Sequence, residues 1–138
     1  MARQRVVAID PGRDKCGVAV VDLEQGPLWR QIVAPTELLQ KVDSLAQEYD
    51  CRVVALGNQT SSEAARQRLQ PLLEQELVDE IIMIDEHDST EQARSRYWQA
   101  YPPAGWRRFL PIGLLVPPCA IDDFAAIILG ERYFKKNI

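Results

Sequence analysis

The sequence predicts an α/β protein: a mixed five-stranded sheet with helices on both faces. Three observations predict it. The opening stretch, RVVAIDPGRDKCGVAVVD (Arg5 to Asp22), reads as two apolar strands joined by a short loop, and a third strand follows closely. From Pro35 onward, helical periodicity alternates with short β-branched runs, the pattern of β-α units with parallel strands. All the connections in this first half are short.

Val6 to Ile9 form the first buried run, which ends on a carboxylate, Asp10. Pro11-Gly12 marks the turn, and Gly17 to Val21 form the second run, ending at Asp22. Gly26-Pro27 breaks the chain again, and Leu28 to Ala34 complete a three-strand antiparallel meander. Pro35-Thr36 opens a helix with Leu38, Leu39, Val42, Leu45, Ala46 and Tyr49 on one face. Arg52 to Gly57 is a buried strand ending at Asn58. Thr60-Ser61-Ser62-Glu63 has capping-box spacing and starts a helix to about Gln70, with Pro71 kinking or restarting it. Glu80 to Ile84 is the fifth strand, ending in Asp85-Glu86. A second capping-box spacing, Asp88 to Glu91, precedes a helix with Ala93, Tyr97, Ala100 and Tyr101 on its inner face and Trp98 more exposed. The prolines between Tyr101 and Cys119 rule out a regular helix there. The last helix is expected from near Ala120 to about Tyr133.

At 138 residues and 46% apolar composition, one domain spanning residues 1–138 is expected. No apolar run reaches the length of a membrane span and no signal-peptide core is present, so a cytoplasmic location and no membrane partner are expected. Cys16, Cys51 and Cys119 are odd in number and far apart, which suits reduced, buried thiols rather than disulfides or zinc. The net charge of −4 argues against a basic nucleic-acid coating protein. It does not exclude a nuclease, whose catalytic acids lower the charge and whose bound cations reverse it locally.

Three carboxylate positions carry the chemistry. Asp10 ends the first strand, Asp85 and Glu86 end the fifth, and Asp122 and Asp123 sit in the first turn of the last helix. Parallel first and fifth strands place their C-terminal ends on one sheet edge, where open α/β sheets bind ligands. At about 100° per residue, the apolar stripe of the last helix borders Asp122, with Asp123 projecting further out. Converging acids repel one another, and Mg²⁺ or Mn²⁺ resolves the repulsion with oxygen ligands. A pair of such ions about 4 Å apart suits phosphodiester hydrolysis.

Together, DPGRDKCGVAVVD, ALGNQT, IDEHDSTEQAR and IDDFAAIIL resemble the YqgF (RuvX) family, RNase H-like proteins related to the RuvC Holliday-junction resolvases. The motifs follow the family's order over essentially the whole chain, and RYWQAYPP is similar to its cyanobacterial branch. The resemblance implies an RNase H-like fold and a metal-dependent nuclease acting on ribosomal RNA precursors or branched DNA. It carries the family's acids to Asp10, Glu86 and Asp122, with Asp85 as a fourth ligand or a supporting residue. The chain departs from the pattern at His87, where the family's triplet has Arg. It departs also at Asn58 and Cys119, where RuvC-type resolvases carry acids. Fewer carboxylates imply a single metal or weak activity.

Plainer readings stand beside these. Asp10 suits a turn, Asp85 and Asp88 suit helix caps, and Asp122 and Asp123 complement a helix dipole. His87 reads as a surface residue, with a phosphate contact or proton shuttle as the alternative. Asn58 reads equally as a turn residue or as a ligand to phosphate or a metal-bound water. Arg13, Lys15, Arg94, Arg107 and Arg108 are candidates for a phosphate track, or simply solvated. Trp106 and Phe109 suit base stacking, packing on the core, or a dimer contact. The leading expectation is an endonuclease with Mg²⁺ or Mn²⁺ on Asp10, Glu86 and Asp122, as a monomer or homodimer. A catalytically weak or inactive nucleic-acid-binding module is the alternative. An actin-like phosphotransferase would need two such domains, and this chain has room for one.

Overall fold

The computed structural model describes residues 4–111 and 114–137. Its strands are β1 (Arg5–Asp10), β2 (Cys16–Asp22), β3 (Gly26–Val33), β4 (Val53–Gly57) and β5 (Glu80–Ile84). Its α-helices are α1 (Leu38–Glu48), α2 (Ser62–Glu74), α3 (Ser89–Ala100) and α4 (Asp122–Asn137). The sheet order is β3-β2-β1-β4-β5. The first three strands form the antiparallel meander, and β1, β4 and β5 run parallel.

Alternation along the strands assigns the two cores. Val6, Ala8, Ala19, Val21, Val53, Ala55 and Ile84 face α3 and α4. Val7, Ile9, Val18, Val20, Val54 and Leu56 face α1 and α2. Both faces of β1 and β4 are therefore covered, which is why these segments read as unbroken apolar runs. Asp22 closes the meander. Its Oδ1 accepts the backbone N–H groups of Glu24 and Gln25 at 2.8 and 2.9 Å, and Arg5 Nε donates to Oδ2 at 3.0 Å. Among the described residues, no helix is long and apolar enough to cross a membrane.

Several local expectations are corrected. Neither capping box forms: Ser61 and Asp88 stand at the helix N-termini without side-chain capping bonds, and Asp88 adopts φ 60°. A left-handed residue aims its carboxylate away from the first-turn N–H groups, and the Asp88 carboxylate pairs instead with His87 at 3.2 Å. Helix α2 runs through Pro71 to Glu74 instead of ending near Gln70. Trp98 is buried, edge-on to Tyr97, while Ala100 and Tyr101 are exposed. Packing against α4 rotates α3 so that Tyr97 and Trp98 share the core. Cys16 and Cys51 are buried thiols, but Cys119 is exposed. Helix α4 starts at Asp122 and extends past Tyr133 to Asn137. The chain between Tyr101 and Cys119 includes the short 3-10 turn Gly105–Phe109.

Candidate active site

Parallel pairing puts the ends of β1, β4 and β5 on one edge: Asp10, then Gly57 and Asn58, then Ile84 to Glu86. Two glycines let acids from elsewhere reach that edge. Gly17 pairs with Asp10 across the β1–β2 ladder. A Cβ on Gly17 would collide with the Asp122 carbonyl and lie 2.7 Å from the Asp123 nitrogen. Only a glycine there allows the first turn of α4 to descend beside Asp10. A Cβ on Gly57 would strike the Glu86 side chain, with Oε1 at 2.6 Å. Glu86 therefore folds over the end of β4 and is only 3% exposed. The backbone N–H of Gln59 donates to Glu86 Oε2 at 2.7 Å, fixing the carboxylate.

Asp10 and Glu86 share a hydrogen bond. Burial, this hydrogen bond and the charges of Glu86 and Asp122 push the Asp10 carboxyl up to about 9. At neutral pH the Asp10–Glu86 pair thus keeps a shared proton between its two carboxyl groups. Asp122 contributes a buried Oδ2 with no hydrogen-bond partner, and Lys15 Nζ lies 3.5 Å from that oxygen. At that separation the ammonium offsets charge without making a hydrogen bond.

Among the described residues, no three Asp, Glu, His or Cys side chains are gathered as a ready ligand cluster. The chemistry of the donors nevertheless fits a hard divalent cation: all are carboxylate oxygens, one is a buried orphan, and one is pushed toward its protonated form by burial, a hydrogen bond to Glu86 and its neighbours' charge. A cation held by these carboxylates would replace the proton on Asp10 and offset both its burial and the repulsion from its neighbours.

The other candidates are dispersed. Asp85 is exposed and turned away from Asp10: its Oδ1 accepts the His87 backbone N–H at 3.1 Å, and its carbonyl accepts Arg132 Nη1 at 2.7 Å. Adjacent residues diverge here, so Glu86 points into the edge while Asp85 lines a groove with His87, Asp88, Arg132 and Lys136. His87 is exposed in that groove. Asn58 is exposed at the sheet edge, its backbone N–H bonded to the Ile84 carbonyl at 3.0 Å. Arg13 is exposed and pairs with Asp14 at 3.4 Å. Arg94 is half-buried on α3, and Arg107 and Arg108 are exposed on the 3-10 turn.

Asp123 reverses an expectation. It is more buried than Asp122, because Arg30 of β3 reaches across the sheet to its Oδ2 at 2.8 Å. The same guanidinium donates to the Tyr101 hydroxyl at 2.9 Å and lies over the Phe124 ring at 4.4 Å. Arg30 thereby anchors the turn that carries Asp122. Nothing in the sequence marks it, since its partner is 93 positions away. Arg68 of α2 was equally unmarked, and its charge is felt at Cys16, beside the Asp10 turn.

Solved structures share this architecture. Thermus thermophilus RuvC in complex with a Holliday junction substrate aligns at TM-score 0.65 with 15% identity, covering 97% of this chain and 96% of that one. The fold is RuvC-like. The fowlpox virus resolvase in complex with Holliday junction DNA aligns at TM-score 0.61 with 14% identity, covering 96% of this chain and 97% of that one. These matches establish the RNase H-like fold of the mixed sheet. No protein-family model and no curated protein matches the chain, so the YqgF resemblance rests on the motifs.

Proposed function

We propose that this chain is a divalent-metal-dependent endonuclease that cuts phosphodiester bonds in structured nucleic acid, with branched DNA as the first substrate class. The observation that carries the reading is the proton-sharing Asp10–Glu86 pair beside the orphaned Asp122 oxygen, at the C-terminal edge of a RuvC-like sheet. Asp10, Glu86 and Asp122 would hold Mg²⁺ or Mn²⁺, which when bound activates water and takes up charge on the leaving oxygen. Gln59 holds Glu86, Gly17 and Gly57 admit the acids, and Lys15 stands beside Asp122 where a phosphate would approach. The two junction-bound neighbours favour branched DNA, and the motifs keep ribosomal RNA precursors as the second class. Cleavage of a junction on two strands would require a homodimer, whereas RNA maturation is open to a monomer. The proposed location is the cytoplasm.

The test is cleavage of a four-way DNA junction, a single-stranded RNA and a structured ribosomal RNA precursor with Mn²⁺ or Mg²⁺. Glu86→Gln is expected to lower the rate about a hundredfold or more, and chelation to stop it. Binding without cleavage of any substrate would replace this reading with the non-catalytic binding module, for which the exposed Asn58 at an acid position is the supporting observation.

A further inference from the structure

The loop from Tyr101 to Ile121 leaves and returns at one place. Tyr101, at the end of α3, and Asp123, at the start of α4, are both held by Arg30, at 2.9 and 2.8 Å. Tyr97 packs edge-on to Phe124 with centroids 5.7 Å apart, closing the neck. Both stems thus stand next to Asp122. Leu110 and Leu115 seat the loop on the core beneath α4. Its 3-10 turn does the opposite. Trp106 is 69% exposed and Phe109 is 76% exposed. With three residues per turn, positions 106 and 109 fall on the same face.

Two large rings held in water are costly to a monomer and call for a partner. The charge around them selects it. Residues 101–121 contain Arg107 and Arg108 and no Asp or Glu, in a chain whose net charge is −4. Arg108 already lies over the Phe109 ring, 4.9 Å from its centroid. Flat apolar faces interleaved with guanidinium groups match unpaired nucleotides, whose bases stack and whose phosphates pair.

We propose that Trp106 and Phe109, flanked by Arg107 and Arg108, form a stacking platform for unpaired bases beside the carboxylate edge. This rests on the nucleic-acid reading of the site and adds which part of the substrate it holds: the unstacked nucleotides at a branch or loop. Intact duplex offers no free base faces and gains nothing from the platform.

The test is equilibrium binding in chelator, which excludes cleavage, of an oligothymidine, a four-way junction and a blunt duplex. Trp106→Ala/Phe109→Ala is expected to weaken oligothymidine and junction binding about tenfold or more while changing duplex binding less than about twofold. Both rings project into solvent, so the double variant should keep the wild-type circular dichroism. Trp106→Phe should keep affinity within about threefold and lose the tryptophan quenching that oligothymidine causes, because Trp98 is buried and Trp29 packs on the opposite face of the sheet. Equal affinity of the double variant for oligothymidine would overturn the platform alone. A shift from dimer to monomer with unchanged affinity would also overturn it and assign the surface to a second copy. If the wild type binds none of the three nucleic acids, the platform and the branched-DNA nuclease reading fall together.

Discussion

Asp10→Asn is expected to lose metal-dependent cleavage and, in metal-free buffer, to melt above the wild type by a margin that grows with pH. The Asp10 carboxyl is pushed up to about 9 in the folded protein, against an ordinary value of 3.8. Between those values the folded state binds more protons than the unfolded state. The stability that Asp10 contributes is therefore fully present below about pH 4 and is lost as the pH rises toward 9. An amide keeps a donor for Glu86 and has no proton to lose. The two proteins should melt alike near pH 3 to 4 and diverge through pH 7 to pH 9, by an amount on the order of several kcal/mol. Thermal melts across that pH range read the difference directly. A constant margin would mean that Asp10 is not the strained acid.

The second large effect belongs to Gly17→Ala. The added methyl meets the backbone of Asp122 and Asp123, which cannot swing aside as a side chain can. Helix α4 must lift from β2, and with it the packing of Phe124, Ala125 and Leu129 on the sheet. The expected cost is about 3 kcal/mol, read as a lower urea midpoint. Gly57→Ala provides the contrast. Its methyl meets the Glu86 side chain, which can rotate outward. It should cost about 1 kcal/mol. It should also separate Glu86 from Asp10 and flatten the pH dependence described above. Comparable losses in the two variants, with the pH dependence intact in Gly57→Ala, would contradict the assigned close approaches.

The sheet was legible because its determinants are local. Short β-branched runs named the strands, and the helices between them required β1, β4 and β5 to be parallel. Strand-terminal acids were legible for the same reason: Asp10 and Glu86 follow apolar runs that must end at an edge. The remaining features depend on partners distant in sequence. The phase of α4 put Asp122 at the border of its stripe and Asp123 further out, and Arg30 overrides that phase by burying Asp123. The exposure of Trp98 depended on the rotation of α3, which packing against α4 sets. The capping-box spacing around Ser61 and Asp88 allows a hydrogen bond without enforcing it. The separation of Asp85 from Glu86 arises beyond the last paired residue of β5, where strand alternation no longer governs side-chain direction.

The central claim is that Asp10, Glu86 and Asp122 act together as a cation site. Calorimetric titration of the wild type with Mn²⁺ at pH 7, in two buffers of different ionisation enthalpy, tests it most directly. Binding should be accompanied by proton release, because the cation displaces the proton that Asp10 shares with Glu86. Both the binding and the release should disappear in Asp10→Asn. Saturable binding that persists unchanged in Asp10→Asn, or no binding at millimolar Mn²⁺, would contradict a metal site built on these three carboxylates.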